Sequence, residues 1–257
     1  MPSLFSGTEE FTLKLFIVVF LRYFILAAIG YGIYYIVKKK AWNYRKIQLL
    51  FPKRGDYWRE FIYSFITAVI FTLVGLLVFK TSFIRITQIY FEIEEFGILY
   101  LILSIPIMII IHDAYFYWAH RIMHLQSVFK HAHRTHHLST NPSPWAAMAF
   151  HPIEAVIEAG IVPVLAIVMP VHPLGMAGFL LIMMIYNVYG HLGYELYPPG
   201  FAASRIGRWI NTSVSHNQHH QFFVGNYGLY FLWWDRWMGT IRTDYDTKFT
   251  EVASRKG

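Results

Sequence analysis

The stretch HDAYFYWAHRIMH, residues 112–124, is the most informative part of the sequence. It joins an apolar segment to a pair of histidines, and so places these histidines at the end of a predicted membrane helix. Residues 96–111, which precede it, carry no charge, as expected of a segment that crosses a membrane. The aromatic residues within the stretch suit the membrane–water interface, where amphipathic rings settle. His120 and His124 are four residues apart, so a helix that continues through the stretch presents both imidazoles on one face.

The composition places the chain among membrane proteins. Of its 257 residues, 56% are hydrophobic and 14% are charged, whereas soluble domains have about 25% charged residues. The chain has no cysteine, which excludes intrinsic disulfides, iron–sulfur clusters and thiolate-ligated haem. The net charge of +7 comes from basic residues beside apolar runs. Membrane topology therefore explains this charge better than nucleic-acid binding does.

Apolar segments predict about four transmembrane helices in an all-α membrane protein. Residues 13–37 and 61–79 are each long enough to cross a hydrocarbon core of about 30 Å. The segment that begins at residue 96 is expected to continue helically to residue 119. Residues 159–194 carry no charge, and the prolines in 170–173 break this run near its middle. This break predicts a helical hairpin.

The distribution of charge predicts the orientation of these helices. Residues 38–60 contain eight basic and two acidic residues, which the positive-inside rule assigns to the cytoplasm. The N-terminus is then outside, and the histidine-rich regions share the cytoplasmic side with a cap that begins at residue 201. Arg22 interrupts the first apolar segment, and an arginine at that depth is expected to face other helices or to reach the outer interface.

All thirteen histidines lie between residues 112 and 220, and most of them belong to three groups. These read H-x3-H, H-x2-H-H and H-x2-H-H, and they comprise His120 and His124; His133, His136 and His137; and His216, His219 and His220. On a helix, each group points two or three imidazoles the same way. Three such groups on one side of a membrane have little packing rationale, whereas isolated histidines such as His112, His131 and His172 are expected to be structural.

Eight or nine imidazoles are more than one metal ion binds, since one ion takes about four to six ligands. The pattern therefore predicts two ions in a shared site. Imidazole suits iron, zinc, copper and nickel, so the ligand type leaves the metal open. The sequence has no H-E-x-x-H motif, which argues against a zinc peptidase, and it lacks the Glu-x-x-His repeat of carboxylate di-iron bundles.

The order of these motifs resembles that of the fatty acid hydroxylase / sterol desaturase superfamily of membrane di-iron oxidoreductases. The similar text comprises HDAYFYWAHRIMH (112–124), HRTHH (133–137), HPIE (151–154), HLGYE (191–195), HNQHH (216–220), NYG (226–228), WDR (234–236) and GT (239–240). The resemblance implies a single membrane domain over residues 1–257, with a catalytic core at about 111–240. It also implies a helical membrane base and a cytosolic helical cap that holds two metal ions.

The resemblance further implies hydroxylation or desaturation of a lipid C–H bond. The cofactors would be two iron ions (Fe2+/Fe3+), with zinc as a substituted metal and O2 as co-substrate. Electrons would come from a separate donor such as cytochrome b5, ferredoxin or an NAD(P)H-linked reductase. The substrate would be a sterol-like or fatty acyl lipid, and the short first box with the HPIE text favours the sterol branch.

Carried over residue by residue, the resemblance assigns nine metal ligands: His120, His124, His133, His136, His137, His191, His216, His219 and His220. His191 is included because family members place a ligand just before this glycine–tyrosine turn. Four residues earlier, where some relatives have another histidine, this chain has Asn187. Asn187 is expected either to bind through a water molecule or to hydrogen-bond a ligand.

Acidic residues are expected to orient the ligating imidazoles through hydrogen bonds. Asp113 lies among apolar residues at membrane depth, so a partner among the box histidines is expected. Further candidates, with a pairing to Arg121, Arg134, Arg205 or Arg208 as the alternative, are Glu154, Glu158, Glu195 and Asp235. His151, before Pro152, is expected to be structural or to hydrogen-bond a ligand. Apolar side chains of the hairpin, including Met176 and Met183, either pack the helices or line a lipid channel.

Two other functions remain compatible with these residues. One is a dimetal membrane hydrolase, and the other is a divalent-metal transporter or sensor. A transporter is expected to place ionisable residues within several spans, whereas only a few are plausible at depth here: Arg22, His112, Asp113, His172 and His191. Product formation that depends on O2 separates the oxidase from both alternatives.

Overall fold

Four long apolar helices form the base of the molecule, and short helices cover one end of it. The computed structural model describes residues 7–256, so residues 1–6 and 257 of the predicted single domain lie outside the described residues. The helices are α1 (Thr8–Tyr31), α2 (Arg54–Lys80), α3 (Gly97–Met123), α4 (Gln126–Ala132), α5 (Arg134–His137), α6 (Pro152–Ala159), α7 (Ile161–Val168), α8 (Pro173–Gly190), α9 (Ser213–Phe222), α10 (Trp233–Trp237) and α11 (Tyr245–Ala253). Within residues 7–256 there is no β-sheet, only isolated β-bridges.

The predicted number of membrane helices is confirmed, although their bounds differ. Helices α1, α2, α3 and α8 are long and apolar enough to cross a membrane, and α1 extends through a π-helical turn at Gly32–Val37. Helix α2 begins at Arg54, well before the predicted residue 61, because its polar first turn is capped: the backbone N–H of Lys53 donates to Asp56 at 2.9 Å. Helix α3 continues to Met123, one turn beyond the predicted end.

The predicted hairpin is formed by α7 and α8. Helix α7 ends at Val168, and α8 begins at Pro173 after a short connection in which Val171 pairs with Ile89 of the loop before α3. The incoming arm is interrupted at Gly160, which separates α6 from α7. Only α8 of this pair therefore has the length to span a membrane by itself.

Helices α1 and α2 pack through faces that repeat every three or four residues. The buried residues of α1 are Val19, Tyr23, Ala27 and Gly30. The buried face of α2 is built from small and hydroxylated side chains, which let neighbouring backbones approach closely: Ser64, Thr67, Ala68, Thr72 and Gly75. The Tyr23 hydroxyl and the Ser64 hydroxyl both donate to the carbonyl of Trp145, so the turn that contains this tryptophan is fastened to both helices.

Helix α3 carries a buried stripe that leads into the histidine region. Ser104, Met108, His112, Phe116 and His120 follow one another in steps of four, and all are buried. One face of α3 therefore begins in the apolar core and ends at the first histidine box. Pro106 lies inside the helix and is exposed. Proline has no N–H to donate to the preceding turn, but membrane helices tolerate this loss where neighbouring groups satisfy the freed carbonyl.

The basic loop after α1 lies at the same end of the bundle as the histidine boxes, as predicted. The Ile47 N–H donates to the Gly193 carbonyl at 3.0 Å, and the Gln48 amide donates to Asn217 of α9 at 2.9 Å. Arg22 faces neighbouring helices, because it lines a cavity that α1 shares with α2 and α8. This confirms the first of its two expected placements.

Helix α9 is polar yet almost entirely buried in the cap. Every residue from 213 to 220 is buried, although most carry polar side chains. Thr212 caps its first turn by accepting from the Ser215 N–H at 3.2 Å, and the Thr212 hydroxyl also contacts the Tyr245 hydroxyl of α11 at 3.2 Å. A polar helix that is buried on all sides needs polar partners around it. Helix α9 finds them in the histidines of the first two boxes and in the loop that contains Gln48.

The fold predicts that Lys40 and Glu94 lie on opposite sides of the membrane, because α2 separates their exposed loops. The cysteine-free chain allows single-cysteine variants, Lys40→Cys and Glu94→Cys, to be labelled with a membrane-impermeant maleimide in sealed vesicles of one orientation. One variant should react before detergent is added and both afterwards. Equal labelling of the two variants in sealed vesicles would contradict the arrangement of α2.

Candidate metal centre

Nine histidines converge at one end of the bundle in two clusters. The five-histidine cluster consists of His120, His124, His133, His137 and His219, and the four-histidine cluster consists of His136, His191, His216 and His220. Within each cluster, one ring nitrogen of every member lies within 4.8 Å of those of all the others. The nine residues brought together are the nine predicted ligands.

The spacing of the Nε2 atoms fits ligands that share an ion. In the five-histidine cluster, Nε2 of His137 lies 3.0 Å from Nε2 of His133 and 3.1 Å from those of His124 and His219. Neighbouring Nε2 atoms in the four-histidine cluster are 3.1–3.2 Å apart. Two imidazole nitrogens about 2.1 Å from one ion, at right angles to each other, lie about 3.0 Å apart.

The opposite ring nitrogen, Nδ1, fixes the tautomer in several of these histidines. A carbonyl oxygen only accepts, so an Nδ1 that contacts one must carry the proton and donate it. Such contacts run from His120 to Tyr227 (2.9 Å), from His191 to Asn187 (2.8 Å), from His219 to Gly225 (2.7 Å) and from His220 to Ser139 (3.0 Å). In a neutral ring the Nε2 atom then has only a lone pair.

Lone pairs therefore face one another across the clusters. Nδ1 of His133 donates to the Glu154 carboxylate at 2.7 Å, so both His133 and His120 direct an unprotonated Nε2 into a gap of 3.0 Å. Two acceptors at this distance repel each other unless a cation lies between them. The donor set thus fits a metal that imidazole binds, a class that includes iron and zinc.

Burial keeps the clustered histidines neutral. It is the main cause of a lowered pKa in all eight that lie outside the membrane helices: His124, His133, His136, His137, His191, His216, His219 and His220. The pKa of His191 falls to about 4, well below its usual value. Since the neutral imidazole is the form that binds metal, these rings are ready to act as ligands at neutral pH.

Each cluster is assembled from elements that are distant in sequence. The end of α3 supplies His120 and His124, the α4–α5 segment supplies the second box, and α9 supplies the third. His191 follows the last residue of α8, where the backbone leaves the helix. The five-histidine cluster draws on all three boxes, so its formation requires the ends of α3, α5 and α9 to meet.

Two of the predicted carboxylates support the five-histidine cluster. Glu154 is buried and accepts from His133, which confirms its expected role. Asp235 acts one step further away: it accepts from the N–H groups of Tyr227 and Gly228 at 2.9 and 2.8 Å. It thereby holds the loop whose Tyr227 carbonyl accepts from His120.

Glu195 serves the third box, and Glu158 has a different environment. The Glu195 carboxylate accepts from the Val214 N–H at 3.0 Å and from the Tyr189 hydroxyl at 3.1 Å, which anchors the start of α9. Glu158 forms no hydrogen bond with a clustered histidine within residues 7–256, and it lines two cavities. Within residues 7–256, neither these two glutamates nor Glu154 and Asp235 form an ion pair with the arginines that were the alternative partners.

The expectation that Asp113 pairs with a histidine is wrong. Asp113 accepts from the backbone N–H groups of Tyr230 and Phe231, at 2.9 and 3.2 Å, and from the indole of Trp233. A loop of the cap reaches down to the end of α3 and supplies these donors, so the buried carboxylate is satisfied without an imidazole. Asp113 therefore fastens the cap to the membrane base.

Asn187 contacts the four-histidine cluster through its backbone. Its carbonyl accepts from Nδ1 of His191, whereas its side-chain amide donates to the Ala147 carbonyl at 2.9 Å. The first contact could be made by any residue, and the second holds the turn before Phe150 against α8. Binding of a metal through a water at Asn187 stays a prediction.

Three further histidines, His131, His151 and His172, lie outside the clusters. His151 and His172 each precede a proline and cap a helix, accepting from the N–H of Ile153 and of Leu174. His131 is exposed on α4. The caps formed by His151 and His172 agree with the expected structural role of these two residues, whereas the exposed position of His131 does not test it.

Some supporting groups have no sequence signal. Glu60, counted above with the basic loop, is buried and accepts from the hydroxyls of Ser139 and Ser143 at 2.8 and 2.5 Å. It thereby secures the segment whose Ser139 carbonyl accepts from His220. The backbone carbonyls that hold the imidazoles are equally invisible in a sequence, because every residue has one.

These features define an integral membrane protein with a candidate dimetal site made of histidines. The model of the family described as fatty acid hydroxylase matches residues 105–240, just over half of the chain. The chain therefore belongs to the fatty acid hydroxylase family. The matched region runs from the middle of α3 to the end of the Asp235 loop and includes all nine clustered histidines.

Among characterised proteins, the chain is similar to sterol-modifying enzymes. It is 27% identical to the Delta(7)-sterol 5(6)-desaturase ERG3B of Gibberella zeae, over 86% of this chain and 64% of the relative. It is 31% identical to the lathosterol oxidase of Rattus norvegicus, over 61% of this chain and 51% of the relative. The chain thus spans between about half and two thirds of these relatives. No solved structure shows significant similarity to it.

The contact between Glu154 and His133 predicts a measurable effect on metal affinity. Glu154→Leu removes the acceptor of His133 Nδ1, and affinity should fall about 10- to 100-fold because the ring loses its orienting partner. Glu154→Gln, whose amide oxygen can still accept, should lie between this variant and the wild type. Competition with a chelator measures the change, and the exposed Glu94→Leu serves as control. Unchanged affinity in Glu154→Leu would mean that the hydrogen bond does not orient His133.

Proposed function

We propose that this chain is an O2-dependent membrane oxidoreductase that hydroxylates or desaturates a sterol-like or fatty acyl lipid at two iron ions. The observation that carries the proposal is the convergence of nine neutral imidazoles, in two clusters, at one end of four membrane helices. The printed names of the relatives support the sterol-like branch, because these proteins are a sterol desaturase and a lathosterol oxidase.

Each cluster would hold one ion. One site is assigned to His120, His124, His133, His137 and His219, and the other to His136, His191, His216 and His220. The iron pair would supply the activation of O2 and the removal of hydrogen from an unactivated C–H bond, which side chains alone do not achieve. Zinc could occupy the same nitrogens, but it has no redox chemistry to offer.

The reaction needs electrons from outside the chain. Hydroxylation converts one C–H bond, one O2, two electrons and two protons into a C–OH group and one water. Desaturation uses the same O2, electrons and protons, but takes both hydrogens of a CH–CH unit and yields a C=C bond and two waters. We therefore propose a separate donor, such as cytochrome b5, ferredoxin or an NAD(P)H-linked reductase.

The chain's own residues position the site and exclude water from it. Eight of the nine histidines are buried, and His124 is the one with partial exposure. Backbone carbonyls and Glu154 hold the Nδ1 protons, so the rings are oriented before any metal arrives. Low exposure protects a reactive site from solvent.

We also propose that the site is cytoplasmic and that residues 1–257 form one domain with its catalytic core at about 111–240. The lysine-rich loop at the metal end supports the orientation through the positive-inside rule. The cap supports a single domain, because its loop reaches Asp113 at the end of the membrane helix α3.

Elemental analysis of protein purified in mild detergent should find about two irons per chain. His137→Ala and His216→Ala each disrupt one cluster, so each should lower the iron content by about half, and the double variant should bind almost none. His131→Ala changes an exposed histidine outside both clusters and should keep the full content. Equal iron in the wild type and the double variant would remove the histidine clusters from metal binding.

Lipid oxidation should require O2 and a reductant. Purified protein, given a sterol with an isolated ring double bond and an electron donor, should form product in air and none under argon. His219→Ala should lower the rate at least about 100-fold because it opens the five-histidine cluster, whereas His131→Ala should not. Product that forms equally without O2 would replace the oxidase with a hydrolase, one of the alternatives raised by the sequence.

A further inference from the structure

Two neighbouring cavities lie in succession between the membrane region and the candidate metal centre. The membrane cavity, about 70 Å3, lies among α1, α2, α7 and α8 and is lined mainly by apolar side chains. The junction cavity, about 10 Å3, lies closer to the histidines. Phe71, Glu158 and Met183 line both cavities, so they form the wall between them.

The junction cavity lies within one side chain of both histidine clusters. Phe116, which lines it, has its ring 4.9 Å from that of His120. Phe150, on another wall, has its ring 5.1 Å from that of His136. A group in this cavity is therefore close to the centre without touching a predicted ligand.

Polar groups without partners face this space. His112 is 1% exposed, and its Nδ1 contacts the Tyr230 hydroxyl at 2.9 Å, but its Nε2 is buried with no hydrogen bond. Glu158 makes no hydrogen bond or ion pair with any residue in 7–256. A buried polar atom without a partner costs free energy. The buried Nε2 of His112 and the half-buried carboxyl of Glu158, beside one cavity, therefore indicate a ligand that pairs with both.

The polar residues lie at the end of the membrane cavity that faces the metal centre. Helix α1 approaches the centre with its C-terminal end and α2 with its N-terminal end. Arg22 and Phe71 are therefore the lining residues of these helices nearest to the centre. Glu158 is one helical turn, about 6 Å, from Glu154, which holds His133. Beyond these residues the lining is hydrocarbon.

We propose that the hydroxyl group of a lipid alcohol binds in the junction cavity, between Glu158 and His112, with the hydrocarbon of the lipid in the membrane cavity. This inference rests on the proposed function and narrows its substrate to a lipid with a hydroxyl close to the oxidised carbon. A hydroxyl both donates and accepts, so one oxygen satisfies the Glu158 carboxylate and the His112 Nε2 together. A cavity of about 10 Å3 has room for one oxygen-sized group.

The same geometry disfavours a fatty acid with its carboxylate in this place. An ionised carboxylate is costly to bury in apolar surroundings, and the described residues that line the junction cavity include no lysine or arginine to pair with it. The body of the lipid needs more room than the membrane cavity now offers. Met176 and Met183 line this cavity, and because methionine side chains adapt readily to irregular shapes, they are the residues that would have to move to admit the lipid.

Equilibrium binding of matched lipids tests this proposal without oxygen or a donor. Cholesterol and its 3-deoxy analogue cholest-5-ene differ by one hydroxyl, and the wild type should bind cholesterol about 10- to 100-fold more tightly. Glu158→Leu should reduce this ratio to about one without weakening cholest-5-ene, and His112→Phe should reduce it in part. The exposed Glu94→Leu should keep the wild-type ratio. Palmitate should bind more weakly than cholesterol.

The outcomes separate this proposal from the proposed function. A wild-type ratio near one, no binding of either sterol, or a ratio unchanged by Glu158→Leu would overturn it and leave water as the occupant of the junction cavity. Palmitate binding that exceeds cholesterol binding would overturn it in favour of a fatty acid. Iron content and thermal unfolding, measured on each variant, exclude misfolding. A hydroxyl-dependent ratio without any lipid oxidation would uphold the proposal while removing the oxidase function.

Discussion

The rest of the structure depends on holding nine imidazoles with a ring nitrogen of each turned toward its neighbours in the cluster. Nε2 atoms that carry no proton approach to about 3 Å, and such acceptors repel one another. The protein stabilises the arrangement from behind, where carbonyls and Glu154 take the Nδ1 protons. The partial negative charges on these nitrogens repel one another, and a bound cation would remove this repulsion. The hydrogen bonds at Nδ1 hold the rings in place against it.

The surrounding architecture serves the same requirement at a larger scale. Helix α3 extends from the apolar core to the first histidine box, where it positions His120. Helix α9 is polar but buried, and it carries the third box. The cap is tied to the membrane base by Asp113, which gathers two backbone N–H groups and one indole from a single loop. Displacement of the cap would thus disturb the Tyr227 carbonyl that orients His120, because the same loop region contains both groups.

Much of this arrangement could be predicted from the sequence, and the remainder has identifiable physical causes. Apolar length identified the membrane helices, and histidine spacing identified eight of the nine clustered residues, because both signals lie in the side chains. His191 belongs to no spaced group and was predicted only from the family resemblance. Asp113 was misassigned because depth in the membrane shows that a carboxylate needs partners, but not which ones. Glu60 and the carbonyls of Ser139, Gly225 and Tyr227 were missed because their roles depend on tertiary neighbours. The start of α2 was placed too late because a capped polar turn adds helix outside the apolar run.

The order of the ligating groups along the chain has a consequence for biosynthesis. The five-histidine cluster lacks His219, and the four-histidine cluster lacks His216 and His220, until α9 has been synthesised. By then all four membrane helices precede the growing end, and the histidines from α3 to α8 have only the partners that this stretch supplies, such as Glu154 for His133. Neither cluster can be completed before α9 is made, so the candidate metal centre assembles only after the membrane base has been synthesised.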